Sequence, residues 1–333
     1  MARHEIAHLE DLVTRVFMVS KTSESNAAAV ARALVAAEAD GLSSHGLSRV
    51  ASYADQAVSG KVDGMADPVL SQTGSAAARV DAMSGFAYPA VDLALDWAQG
   101  FVPSAGIVGA AICRSHHAGA MGLHVKRIAA HGFVAMAFTN SPAGLGPWGG
   151  NKALYGTNPI AFACPRSSEP PLVIDLSLAK VARGKIKMAA DRGEDIPEGW
   201  AVDVDGRPTT DSAAAMSGML LPMGEDKGAA LALMVEIMAA TLTGSHHGFE
   251  ASSFFSADGP PPHIGQFFLV IDPEAFSGGA FSERMETLVL AILDQQGTRL
   301  PGQRRQQVRA EAARDGIEVP DALYDDLVGR AAG

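Results

Sequence analysis

Ile107-Val108-Gly109-Ala110-Ala111-Ile112-Cys113 is an apolar, β-branched run. It leads into Arg114-Ser115-His116-His117-Ala118-Gly119-Ala120-Met121-Gly122, then Leu123 to His131, then a second apolar run, Gly132-Phe133-Val134-Ala135-Met136-Ala137-Phe138-Thr139-Asn140. Strand, small-residue turn, helix, strand is an α/β unit, and it sets the fold class. Backbone amides freed at the turn could hold a phosphate. A metal on His116-His117 is the rival, and it fails because no carboxylate, Cys or further His stands nearby at ligand spacing.

Gly144-Leu145-Gly146-Pro147-Trp148-Gly149 formally matches GxGxxG after the second strand. A dinucleotide fingerprint needs a helix next, and Asn158-Pro159 with extended-looking residues follows instead, so a Rossmann motif is not expected. Further on, Leu172 to Ser177 and Gln266 to Asp272 read as strands, and Ala229 to Leu242, Ser282 to Gln295 and Arg305 to Asp315 as helices. Toward the N-terminus, Val91 to Phe101 reads as a helix and Val69 to Val80 as short strands. His4 to Val19, Ala27 to Ala39 and Val50 to Val58 read as helices, with a cap offered by Ser23.

The chemistry concentrates in Ser43-Ser44-His45-Gly46-Leu47-Ser48-Arg49, with Tyr53 a turn later. The motif falls between two helices, where Gly46 lets the backbone bend. Arg49 and Tyr53, four apart, share a helical face. A 2-oxo or 2-imino acid needs such groups: a planar cation for its carboxylate and a proton donor for the atom that takes up charge. Arg299, Arg304 and Arg305 form the one dense cationic cluster, which suits a diphosphate.

The 333 residues allow more than one lobe. A net charge of −11 argues against nucleic acid and anionic membrane as partners. No apolar run has the length of a membrane span, and Met1-Ala2-Arg3-His4-Glu5-Ile6 lacks the apolar core of a signal peptide. Cys113 and Cys164 make no disulfide framework, so a reducing cytoplasm is expected. No GxSxG elbow occurs and neither Cys has a nearby base, which argues against nucleophilic hydrolysis.

Taken together, the chain resembles the malate/L-lactate dehydrogenase family that lacks a Rossmann fold, over Ala31 to about Arg309. The motifs that carry the resemblance are Ser43 to Arg49, Ser115-His116-His117-Ala118-Gly119, Pro147-Trp148-Gly149-Gly150, Gly156 to Ala161, Ala182-Arg183-Gly184-Lys185-Ile186, Lys227-Gly228 and Leu300-Pro301-Gly302. The resemblance implies an α/β, L-sulfolactate dehydrogenase-like fold, in which a helical lobe from both chain ends flanks a mixed-sheet cofactor domain. The divisions expected are residues 1–70, 71–265 and 266–333. It also implies a homodimer and NADP, or NAD, as cofactor. His45 would be the proton donor with Ser44 behind it. Arg49 would clamp the substrate carboxylate, with Tyr53 on its face and Thr157, Arg183 and Gly184 completing the pocket. The cofactor would lie along His117, Ala118, Gly119, Ala120 and Met121, along Asp175, Leu176 and Ser177, along Asp226 and Lys227, and along Arg299, Leu300, Pro301, Gly302, Gln303, Arg304 and Arg305.

Two departures stand out. Some imine-reducing relatives place an Asp as a third member of the Ser-His relay where this chain has Lys185, as many oxo-acid members do, so Lys185 joins Ser44 and His45 as a catalytic candidate. The Lys227 loop usually reads Gly-Gly-x-Lys-Gly in the family and here is Gly224-Glu225-Asp226-Lys227-Gly228, whose two extra carboxylates would disfavour a 2′-phosphate if they point at it. The expected reaction is reduction of a cyclic 2-imino acid, Δ1-pyrroline- or Δ1-piperideine-2-carboxylate. Glu250-Ala251-Ser252-Ser253-Phe254-Phe255 supports it, because small residues and two Phe suit an apolar ring. The alternative is a 2-hydroxy acid dehydrogenase of malate, lactate, ureidoglycolate or sulfolactate type. A non-catalytic dinucleotide-binding protein is a third reading, against which the intact Ser44, His45 and Arg49 speak.

Overall fold

The structure, a computed structural model, describes residues 2–333. A short strand β1 (Ala2–His4) precedes helices α1 (Ile6–Val19), α2 (Glu24–Ala39) and α3 (Val50–Ser59). Strands β2 (Val69–Gly74) and β3 (Ala77–Asp81), helix α4 (Ala87–Ala105), strand β4 (Ile107–Ser115), helix α5 (Met121–Ala129) and strand β5 (Val134–Thr139) follow. Next come β6 (Ile160–Cys164), β7 (Leu172–Leu176), α6 (Arg183–Arg192), β8 (Ala201–Val202), β9 (Pro208–Thr209), α7 (Ser212–Ser217), β10 (Met219–Leu220) and α8 (Glu225–Glu236), which runs on as a π-helical turn over Ile237–Thr241. The chain closes with β11 (Ile264–Ile271), α9 (Glu274–Ser277), α10 (Phe281–Leu293), α11 (Gln303–Asp315), β12 (Ile317–Val319) and α12 (Asp321–Ala331).

The central sheet has seven strands in the order β2-β3-β4-β11-β5-β6-β7. Only β3 and β4 pair in parallel. The unit read from the sequence, β4-α5-β5, is therefore split: β11 inserts between its two strands and runs antiparallel to both. Side chains alternate across the sheet as strand geometry requires. Ala135, Ala137, Phe268 and Val270 face the core under α4 and α5, whereas Met136, Phe138 and Phe267 face the core under α8. Each fully buried Leu, Ile, Val or Phe in these layers contributes about 1.5–3 kcal/mol. The GxGxxG stretch is loop, tied by Leu145 to Tyr155 and Leu220, with β6 and no helix after it. This agrees with the reading against a Rossmann motif.

A separate core joins the two chain ends. Leu9, Leu12, Val13, Val16 and Phe17 of α1 pack with Val30, Leu34 and Val35 of α2, and with Ile317, Val319 and Leu327 from the C-terminal segment. Ser23 caps α2, accepting the Asn26 amide at 3.4 Å. The β1–β12 pairing and α12 lie beyond the reach of local pattern. β11 straddles the expected division at 265/266, and α10 is held to the sheet by Arg166–Glu286 at 2.7 Å. The return to the helical lobe begins with α11, where Arg309 pairs with Asp40. No helix among the described residues is long and apolar enough to cross a membrane.

Candidate active site

After α2, Ser43–His45 and Leu47–Arg49 each form a 3-10 turn before α3 begins. Glu38 of α2 braces them, accepting Ser43 Oγ at 2.6 Å and the Leu47 amide at 2.8 Å. Gly46 serves this brace rather than a left-handed turn. Its φ is −102°, and a Cβ there would sit 2.3 Å from Glu38 Oε2. Ser44 Oγ lies 3.0 Å from His45 Nδ1. The ring's Nδ1 is thus engaged, and Nε2 makes no hydrogen bond among the described residues. With the serine hydroxyl donating, Nε2 carries the proton. With it accepting, Nε2 is free to take one.

Arg49 donates from Nε to the Ser44 carbonyl at 2.7 Å, which locks the guanidinium beside that pair. Its Cζ stands 4.6 Å from the centroid of the Phe255 ring. Nη1 is buried with no partner. A buried guanidinium N–H without an acceptor is costly, and a carboxylate is the ligand that would satisfy it. Burial first, and then the positive charges of Arg49 and Arg305, hold the His45 imidazole down to about 4. It is neutral at neutral pH.

His117 packs beside His45, ring centroids 5.5 Å apart, and against Phe254 at 4.8 Å. Tyr53 hydrogen-bonds through its hydroxyl to His117 Nδ1 and is wholly buried, its phenol pushed up to about 12 by desolvation. Expected on the substrate face, Tyr53 instead backs His117 from within the helical core. The Arg49–Tyr53 spacing is right, but Tyr53 occupies the inner side of α3.

The remaining substrate candidates stand apart in the hydrogen-bond pattern. The Thr157 amide donates to Ser141 Oγ at 3.1 Å, and its carbonyl accepts Ser177 Oγ at 3.3 Å. Arg183 opens α6 and donates to the Met216 carbonyl at 3.0 Å. Gly184 and Lys185 follow it, exposed. Among the described residues no hydrogen bond or ion pair joins any of these to His45 or Arg49, and Lys185 has no carboxylate partner.

The cofactor candidates converge in part. Val173 to Leu176 and Arg299 to Arg305, with Leu300, Pro301, Gly302, Gln303 and Arg304 between, line an open cleft of about 370 Å³. A narrower cavity shares Asp175, Gly302 and Arg305 and reaches Asp40, Leu42, Gly122 and Leu123. Arg305 is paired with Asp175 at 3.2 Å, whereas Arg299 and Arg304 have no acidic partner among the described residues. The N-terminus of α5, preceded by Ala118, Gly119 and Ala120, carries no side-chain cap. Gly122 admits it against β7: a Cβ there would lie 2.8 Å from Asp175 Cβ. Uncapped amides, free guanidinium groups and a glycine-lined seam fit a dinucleotide phosphate. Asp226 and Lys227 sit exposed in the first turn of α8, and the preceding Met223 amide bonds to Leu178, just past Ser177. Met121 is buried in the core under α5, and its side chain packs there rather than facing the cleft. His45 lies on neither cavity wall; Leu42 and Arg305 connect it to them.

Residues that spacing could not reveal also shape the site. Glu38 braces the motif, Gln56 pairs with His116 Nε2 at 3.1 Å, and Lys61 ties α3 to the loop carrying Phe254 and Phe255. No group of three or more potential metal ligands occurs among the described residues.

Residues 4–328 match the sequence profile described as malate/L-lactate dehydrogenase. The chain is 52% identical to a (2R)-3-sulfolactate dehydrogenase (NADP(+)) of Chromohalobacter salexigens, over 89% of this chain and 88% of that one. It is 39% identical to a Δ1-pyrroline-2-carboxylate/Δ1-piperideine-2-carboxylate reductase of Pseudomonas aeruginosa, over 98% and 99%. The crystal structure of Δ1-piperideine-2-carboxylate reductase from Pseudomonas syringae superposes with a TM-score of 0.94 at 39% identity, covering 99% and 100%.

Proposed function

The chain belongs to the malate/L-lactate dehydrogenase family, and from that premise we propose that it is an NADP-dependent dehydrogenase of a small anionic 2-hydroxy acid of the 3-sulfolactate type. The observation that carries the reading is Arg49: a guanidinium fixed by the Ser44 carbonyl, with Nη1 buried and unpartnered, beside the Ser44–His45 pair. The substrate carboxylate docks on the free Nη edge of Arg49. Held in the cleft lined by Val173 to Leu176 and Arg299 to Arg305, a nicotinamide cofactor would supply hydride to C2 of the oxo acid or accept it from the hydroxy acid. In oxidation, His45 Nε2 takes the hydroxyl proton as the C2–H bond breaks. In reduction, the same nitrogen returns that proton to the developing alkoxide.

The carboxylate also adjusts the base. Arg49 is one of the charges that hold the imidazole proton affinity down. An anion on Arg49 cancels that charge, and the His45 pKa rises toward the working pH once substrate is bound.

Identity to the sulfolactate enzyme favours this substrate over the cyclic imine. A sulfonate calls for a second cation, and Arg183 and Lys185, both without acidic partners, offer it in the first turn of α6. Lys185 then acts on the substrate's far anion rather than as a third member of the relay. The second reading, reduction of a cyclic 2-imino acid, is supported by the Pseudomonas relatives and by the aromatic pair Phe254–Phe255 beside Arg49. NADP is favoured over NAD by the two unpaired guanidinium groups of Arg299 and Arg304 at the cleft. Glu225 and Asp226 form no ion pair among the described residues.

The same reading takes the protein as a homodimer. Leu233, Met234 and Ile237 on one face of α8 are 39–48% exposed, an apolar stripe that a second copy would cover. Oxidation of (2R)-3-sulfolactate with NADP tests the substrate against reduction of Δ1-pyrroline- and Δ1-piperideine-2-carboxylate with NADPH. A kcat/KM at least about tenfold higher for sulfolactate is expected. Faster turnover of either imine puts the second reading first.

A further inference from the structure

Lys61 lies just past α3, is 2% exposed and makes no ion pair among the described residues, the Asp258 carboxylate acting on it only from beyond contact. Its ammonium donates instead to three backbone carbonyls of one short segment: Ser253 at 2.6 Å, Ser256 at 2.9 Å and Asp258 at 2.9 Å. Gln56 donates to the Phe254 carbonyl at 2.9 Å, and Ser59 to that of Ala257 at 2.9 Å. Five donations, three of them from the Lys61 ammonium and two from the last turns of α3, therefore hook residues 253–258 at every carbonyl but that of Phe255. An ammonium is expensive to bury, and an apolar side chain would fill the space at lower cost. What only the charge gives is convergence: three carbonyls must turn to a single point, which fixes the path of the chain between them.

That path decides where two adjacent aromatic rings go. Phe254 turns inward, against His116 at 5.4 Å and His117 at 4.8 Å. Phe255 turns outward, 64% exposed, and covers one face of the Arg49 guanidinium. Phe254 and Phe255 sit side by side in a turn whose Phe255 amide donates to Ser253 Oγ at 3.1 Å, so a slip of one position would exchange the rings. With Nε held by Ser44 and one face held by Phe255, Arg49 offers a ligand only its Nη edge.

We propose that residues 253–258 form a specificity cap over the carboxylate clamp, with Phe255 the specificity-determining residue and Lys61 the positioning residue that sets its register. Phe255 gives the body of the substrate an apolar wall beside the carboxylate. A flat or compact carbon skeleton gains from it, and a bare carboxylate does not. The inference rests on the reading of Arg49 as a carboxylate clamp and is indifferent to which acid is turned over.

The test is calorimetric binding of two carboxylates to the full-length protein, without turnover. Pyrrole-2-carboxylate has a flat ring to lie against Phe255, and oxalate has none. Phe255→Ala is expected to weaken pyrrole-2-carboxylate about tenfold or more and oxalate about threefold or less. Lys61→Met should reproduce that change in ratio, and the double variant should be no worse than about twofold beyond Phe255→Ala. Lys61→Arg keeps a cation but cannot place three donors at one point. It should fold and give an intermediate ratio, which keeps the proposal testable if Lys61→Met is unstable. Lys61 variants that melt earlier but keep the wild-type ratio would assign the residue to stability alone and overturn the proposal. Additive losses in the double variant would do the same. Failure of the wild-type protein to bind either carboxylate would remove the reading of Arg49, and the cap with it.

Discussion

His45 is buried beside the positive charges of Arg49 and Arg305, and that separates it from a surface histidine. With its pKa near 4 in the free protein, it is an unprotonated base throughout the neutral range. In the oxidative direction kcat/KM should therefore stay level as the pH falls from about 8 to about 5, and decline only as the imidazole protonates. A decline centred near 6.5, the value of an unperturbed histidine, would mean that neither burial nor the charges of Arg49 and Arg305 act on it. Arg49→Lys keeps the charge but loses the planar edge and the bond to the Ser44 carbonyl. KM should rise about 10- to 100-fold with a smaller change in kcat, measured by steady-state kinetics. At this scale Ser44, His45 and Arg49 were legible because they are neighbours in the chain and their types state their chemistry. Tyr53 was not, because a spacing of four says which residues share a helix face and not whether that face turns inward.

The β4–α5 turn gathers histidines that the fold keeps neutral. Burial pushes His116 down to about 3 and His117 well below its ordinary value, and His124 is lowered too. In the unfolded chain each would protonate near 6.5. Their contribution to stability is thus complete above that pH and is lost as the pH falls from about 6.5 toward the folded values. Each group held neutral contributes a slope of about 1.4 kcal/mol per pH unit over its own window. The unfolding free energy from urea titrations should be flat above pH 7 and fall steeply between pH 6 and 4.5. His116→Gln should remove one such slope; an unchanged slope would contradict the placement of His116. At this scale the strands and helices of the sheet were readable from apolar runs and periodicity. The insertion of β11 between β4 and β5 was not, since both pairings join residues more than a hundred positions apart.

Across the whole molecule, the candidate site draws on stretches far apart in the chain: the Ser43–Arg49 motif, the His116–His117 turn, the segment hooked by Lys61, and α11 with Arg305. The helical lobe that carries the motif is closed by the C-terminal residues, through Arg309–Asp40 and the shared core of α1 and α12. No local pattern marks that closure, because β1, β12 and α12 are short and acquire meaning only together. The apolar stripe on α8 leads to a further expectation. Leu233→Asp with Ile237→Asp should shift the protein from dimer to monomer in light scattering, and a wild-type monomer would contradict the homodimer. The most direct test of the central claim is the single-turnover rate of hydride transfer in His45→Gln, followed by nicotinamide absorbance at saturating substrate and cofactor. A loss of about 10²- to 10⁴-fold, with NADPH binding unchanged by fluorescence titration, is the expected result; a rate within about threefold of wild type would contradict it.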